Sequence, residues 1–179
     1  MKKILIFGFV AFFCLQVFSQ ETGKQKINWL SIQEAEKLTK ENPRKIIIDV
    51  YTDWCGWCVR MDQSTFGHPG IAGYINEHYY AVKFNAETRD SIVFAGQVYK
   101  NHGGNRQPND LAVALLQGKM SYPSIAYMNE KLQLITVVPG YYTAEQIEPI
   151  LVYIADEAYL NTDWKNFQAN FTSNIFKAH

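Results

Sequence analysis

The sequence predicts an α/β protein in which a mixed sheet of four to five strands carries helices on both faces. Three observations predict it. Lys45-Ile-Ile-Ile-Asp-Val-Tyr51 is short, β-branched and apolar with one acid inside, the pattern of a central strand buried on both faces. A helical stretch and a second apolar run, Tyr79–Phe84, follow it, the strand–helix–strand order of a parallel pair. Further on, Ser124–Met128 and Leu132–Val138 are separated by the turn Asn129-Glu-Lys131, so they pair antiparallel.

Taken in order, the chain opens with Lys2 and Lys3 before an apolar run from Ile4 to Leu15. Twelve residues are fewer than the roughly 20 that a membrane-spanning helix needs. They fit the core of a secretory signal, with Val17-Phe18-Ser19 as the cleavage region, so residues 1–19 are expected to be removed after export. Phe12 and Phe13 occupy positions where a lipid anchor on Cys14 needs small residues. Residues 20–28 are polar. Ser31-Ile-Gln-Glu34 is a capping box, with Leu30 placed to staple against Ala35, for a helix that runs to about Glu41 and stops at Asn42-Pro43.

After the first strand, Thr52-Asp53-Trp54 turns the chain into a helix from Cys55 to about Ser64, and Gly67-His-Pro-Gly70 breaks it. A short helix at Ile71–Glu77 leads into the second strand. Thr88 is placed to cap a helix whose apolar positions Ile92, Ala95, Val98 and Tyr99 repeat at helical spacing. Asn101–Asn109 reads as a loop, and Asp110–Gln117 as a short helix ended by Gly118. Beyond the antiparallel pair, Thr143 and Gln146 form a second capping box, for a helix to about Tyr159. Pro149 lies inside it and removes a backbone hydrogen bond. Trp164, Phe167 and Phe171 close the chain as an aromatic helical tail. Residues 20–179 are expected to form one domain.

The whole chain has 17 basic and 17 acidic residues. Loss of Lys2 and Lys3 leaves 17 − 2 = 15 basic residues against 17 acidic, a balance with no pull toward nucleic acid or an anionic membrane surface. Loss of Cys14 leaves two of the three cysteines, Cys55 and Cys58. Two cysteines one helical turn apart close almost no loop, so they staple poorly and point to reactivity. Cys55 stands where strand gives way to helix, and the unpaired N–H groups there favour thiolate over thiol. Cys58, one turn deeper, is the resolving thiol of a disulfide exchange. Zinc is the rival for such a pair, but a closed site needs about four ligands, and His68, His78 and His102 supply no second pair.

The stretch Ile48-Asp-Val-Tyr-Thr-Asp-Trp-Cys-Gly-Trp-Cys58 resembles the active-site segment of the thioredoxin superfamily, most closely exported bacterial thioredoxin-like proteins with a Cys-Gly-Trp-Cys motif. Four further features carry the resemblance: Asp49 six residues before the first cysteine, Trp54 beside it, Lys83 in a Val-Lys-Phe-Asn run, and Tyr122-Pro123 before a strand. The likeness extends from about Trp29 to Tyr159. It implies the thioredoxin fold and a thiol–disulfide oxidoreductase with no cofactor and no metal. In that reading, Asp49 is a buried acid that takes the proton of Cys58 through water, and Lys83 is its partner. A strand-end acid reaching solvent is the plainer alternative for Asp49.

The same resemblance makes Trp54, Gly56, Trp57, Tyr122 and Pro123 the substrate-facing residues, with Pro123 in a cis peptide. Trp57 replaces the proline usual in cytosolic thioredoxins. The expected substrates are thiols and disulfides of exported proteins in the periplasm or outside the cell, with a redox partner recharging the pair. A disulfide oxidase using the same cysteines and a non-catalytic protein-binding or holdase module are the competing readings. The long segment Asn101–Gly118, leading into Tyr122-Pro123, is expected to shape partner choice.

Overall fold

The computed structural model describes residues 25–176; the expected signal segment lies outside them. A five-stranded sheet has the order β1-β3-β2-β6-β7. Strands β1 (Trp29–Leu30), β3 (Tyr79–Asn85) and β2 (Lys45–Tyr51) are parallel. β6 (Ser124–Met128) runs antiparallel to β2, and β7 (Leu134–Pro139) antiparallel to β6. The mixed sheet is the one the sequence predicts. Its fifth strand, β1, is two residues long and carries too little pattern to be seen before β3 pairs with it.

The two faces follow from alternation along β2. Ile46, Ile48 and Val50 join the core under α1 (Ile32–Glu41) and α4 (Asp110–Leu115). Ile47 faces α3 (Pro69–His78) and α5 (Ala144–Ala155) on the other side, and alternation puts Asp49 on that same face. Both capping boxes are made, Ser31 with Glu34 on α1 and Thr143 with Gln146 on α5. α5 begins at Ala144 and carries Pro149 inside it. Beyond a short 3-10 turn, α6 (Trp164–Asn170) packs back through Tyr153, whose ring lies 5.3 Å from Trp164 and 4.9 Å from Phe167. No helix among the described residues is long and apolar enough to cross a membrane.

One expected element is corrected. The stretch read as a helix capped by Thr88 is a β-hairpin, β4 (Ile92–Phe94) and β5 (Gln97–Tyr99). Ala95 and Gly96, with φ of 49° and 77°, turn the chain between them, the left-handed pair that suits a two-residue hairpin. The true period is two: Ile92 and Phe94 are buried and Val93 is exposed between them. The hairpin is decided by tertiary contact, because Ala95 N–H donates to the Glu36 carboxylate of α1 at 3.2 Å.

Candidate active site

The helix after β2 begins one residue later than the sequence predicts. Cys55 is the N-cap of α2 (Gly56–Met61), with extended backbone, and its sulfur accepts from Cys58 N–H at 3.1 Å. The last turn widens into a π-helix over Asp62–Phe66. Cys55 and Cys58 are joined as a disulfide, with S–S 2.13 Å and Cα–Cα 5.3 Å. Both are buried, Cys58 at 3% exposure and Cys55 at 6%.

Trp54, just before the pair, and Trp57, between its two cysteines, are half-exposed. Nothing lies within 4 Å of the place a Gly56 β-carbon would take, so the surface over the disulfide is open there. Trp54 meets Tyr122 edge-on with ring centroids 5.9 Å apart, which ties the Tyr122-Pro123 loop to the motif. The Tyr122-Pro123 peptide is cis, and Pro123 C=O accepts from Gly140 N–H at 2.8 Å. A groove of about 750 Å³ between β7 and α5 includes neither cysteine.

A charged cluster joins β2, β3 and the turn after α2. Asp49, 2% exposed, is in register with Lys83 on β3 and accepts from its ammonium at 2.5 Å through Oδ2. Its Oδ1 is buried with no hydrogen-bond partner among the described residues. Lys83 also donates to Asp62, and its ammonium lies 4.9 Å from the Tyr51 ring centroid and 5.2 Å from that of Trp29. Burial pushes the Asp49 carboxyl up to about 6; Lys83 draws it back only in part, and the Asp62 charge adds to the rise. Burial works against the Lys83 charge, but the two carboxylates outweigh it and hold the ammonium above its ordinary range. Asp49 thus shares Lys83 with Asp62, the residue that follows the cysteine helix, and burial leaves its carboxyl only weakly acidic.

The family profile described as "Thioredoxin-like domain" matches residues 32–155, more than half of the chain. The chain belongs to the thioredoxin-like domain family. Among solved thioredoxin-like structures, one described as "DsbH Oxidoreductase" superposes with a TM-score of 0.52 at 15% identity, covering 73% of this chain and 85% of the other. The solution structure of a thioredoxin from Thermus thermophilus gives 0.53 at 15% identity, covering 70% and 85%. At these identities the likeness is one of fold. By sequence, the chain is 26% identical over 65 residues to the Thiol:disulfide interchange protein DsbD of Vibrio vulnificus (strain CMCP6). That match spans 33% of this chain and 11% of the relative's length.

In this thioredoxin-like chain the residues expected to act on the disulfide or on substrate lie on β2, the β2–α2 junction, α2, β3 and the loop before β6. The histidines weighed as zinc ligands lie apart: His68 caps α3, His78 stacks on Tyr74 and His102 contacts Asp110. Sequence reading missed Asp62, Glu87, Arg60 and Arg106. Asp62 could have been found as an acid one helical turn beyond Cys58. Glu87, which accepts from Trp54 Nε1 at 2.9 Å, and Arg106, whose guanidinium lies 4.7 Å from the Trp54 ring centroid, carry no local signal. They reach Trp54 because Asn101 and the buried Asn109 tie the 101–109 loop to the chain following β3.

Proposed function

We propose that this chain is a thiol–disulfide oxidoreductase of the reductase or isomerase type acting on exported proteins. The observation that carries it is the Cys55–Cys58 disulfide capping α2 on an open, aromatic face. In the reduced enzyme the helix terminus favours the Cys55 thiolate, which attacks one sulfur of a substrate disulfide and expels the other as a thiol. Cys58 then gives up its proton and attacks Cys55 in the mixed disulfide. The substrate leaves with two thiols and the enzyme carries the disulfide, so a dithiol redox partner must recharge it. Asp49 is assigned the proton of Cys58, Lys83 balances its charge, and Asp62 shares the lysine and keeps Asp49 basic. Trp54, Gly56, Trp57 and the Tyr122-Pro123 loop are assigned to substrate docking. The N-terminal signal pattern supports a periplasmic or secreted setting.

Two measurements test the assignment. Reduced protein treated with iodoacetamide at pH 6 is expected to label Cys55 well before Cys58, because an ordinary thiol of pKa about 8.5 reacts slowly there. Equal labelling of both cysteines removes Cys55 as the nucleophile. A second prediction concerns the 101–109 loop. Arg106→Ala removes the cation from Trp54 and is expected to slow reduction of a protein disulfide about fivefold, the size of one exposed cation–π contact. Reduction of hydroxyethyl disulfide is expected to fall much less. A parallel fall on both substrates, or no change on either, rules the loop out of partner choice.

A further inference from the structure

The face around the disulfide is electrically uneven, and one cation on it is built into a fixed corner. Arg60 lies three residues beyond Trp57 on α2, so both project from the same side of the helix. Its guanidinium sits 5.4 Å from the Trp57 ring centroid and 5.7 Å from that of Tyr141. The two rings are themselves in contact, 5.3 Å apart at 47°. The corner is pinned from behind: Tyr141 OH and Ser64 OH are hydrogen-bonded at 3.0 Å, and Ser64 donates to Arg60 C=O at 2.8 Å. Thr65 donates to Tyr142 C=O at 2.6 Å, tying the π-turn to the loop that carries Tyr141.

Among the described residues the ion pairs use lysine and histidine cations, and Arg60 takes part in none. Arg60 is exposed, and a guanidinium carries five N–H donors, so contact with the two aromatic side chains leaves it donors for a carboxylate. Around Trp54 the balance reverses. Glu87 accepts from Trp54, and Asp53 accepts from Asn85 Nδ2 at 3.0 Å, two carboxylates against the single guanidinium of Arg106. An acidic group on a docking chain is thus drawn to the Trp57 side and turned away from the Trp54 side.

We propose that Arg60, held by Trp57 and Tyr141, receives a carboxylate side chain of the docking polypeptide, so that the site selects cysteines with an acidic residue on one flank. The proposal rests on the exchange reading given above and adds a substrate class to it. Its geometry is that of a preorganised receptor: cation, rings and hydroxyls are already in place, so little ordering remains for the bound state.

The test uses reduced Cys58→Ala protein, which isolates the attack step. Peptides with one cysteine, blocked as its mixed disulfide with 2-mercaptoethanol, carry Glu, Gln or Lys two residues before or two residues after the cysteine. The rate read is that of enzyme–peptide disulfide formation. At low salt one Glu position is expected to react about fivefold faster than its Gln counterpart, the upper range for an exposed ion pair. Lys at that position is expected to react more slowly than Gln, and 0.5 M salt to shrink the difference. Adding Arg60→Gln is expected to abolish the Glu-over-Gln ratio, and Arg60→Lys to restore part of it. Equal rates for Glu and Gln at both positions, or a ratio that survives Arg60→Gln, overturn the proposal. If even the Gln peptides form no disulfide with Cys55, the exchange reading itself fails, and this proposal with it.

Discussion

Cys58→Ala protein, exported from its native host and run on a non-reducing gel, is expected to show discrete higher bands that vanish on reduction. The substitution removes the thiol that releases substrate and leaves Cys55, the attacking thiol, at its helix cap. Multiple turnover is expected to fall to the rate without enzyme, because each molecule stops after one attack. The bands are expected to be absent from Cys55→Ala/Cys58→Ala protein. Their identities would name the substrates. A clean monomer band for Cys58→Ala under the same conditions supports the binding-module reading of the fold instead. Bands that persist in the double variant place the reacting thiol elsewhere.

Asp49→Asn is expected to raise stability and slow the enzyme together. The ordinary carboxyl value is 3.8 and the folded value about 6, with burial as the main cause. A folded pKa raised above the unfolded one means that the native state holds the proton more tightly, so stability falls as pH rises from about 4 through 6. Above that window the buried charge costs the native state about 3 kcal/mol, with the attraction of Lys83 already counted in the folded value. The asparagine variant escapes this cost, and Lys83 keeps Asp62 as its partner. The expected gain at pH 7.5 is about 1–3 kcal/mol, shrinking toward zero or reversing at pH 4, read by denaturant unfolding at the two values. Resolution of the mixed disulfide is expected to slow about 100-fold, the lower end for a lost general base, with its formation little changed. Wild-type turnover with lowered stability returns Asp49 to a structural role.

How much of this was legible beforehand depends on how local each signal is. The apolar run of β2, the capping boxes of α1 and α5, and the turn between β6 and β7 all appear where their residues place them. The Cys55–Cys58 spacing is equally local, because a helical turn brings the sulfurs together whatever surrounds them. The hairpin β4–β5 was not legible, since Ile92, Ala95 and Val98 satisfy a helical period as well as they populate a strand pair. A left-handed Ala95 is costly on its own and is held by Glu36 from an element more than fifty residues away.

The cysteine pair, the strand it follows, the mixed order of the sheet and the acid six residues upstream were determined by sequence alone, because each rests on neighbours within a turn or on apolar alternation. Tertiary structure decided the environment those groups work in. Strand register set Lys83 against Asp49, and the π-turn after α2 delivered Asp62 to the same ammonium. The 101–109 loop laid Arg106 on Trp54, and the segment after β7 brought Tyr141 to Arg60. These contacts join residues far apart in the chain, and the basicity of a buried carboxyl or the charge on a docking face is a sum over just such neighbours.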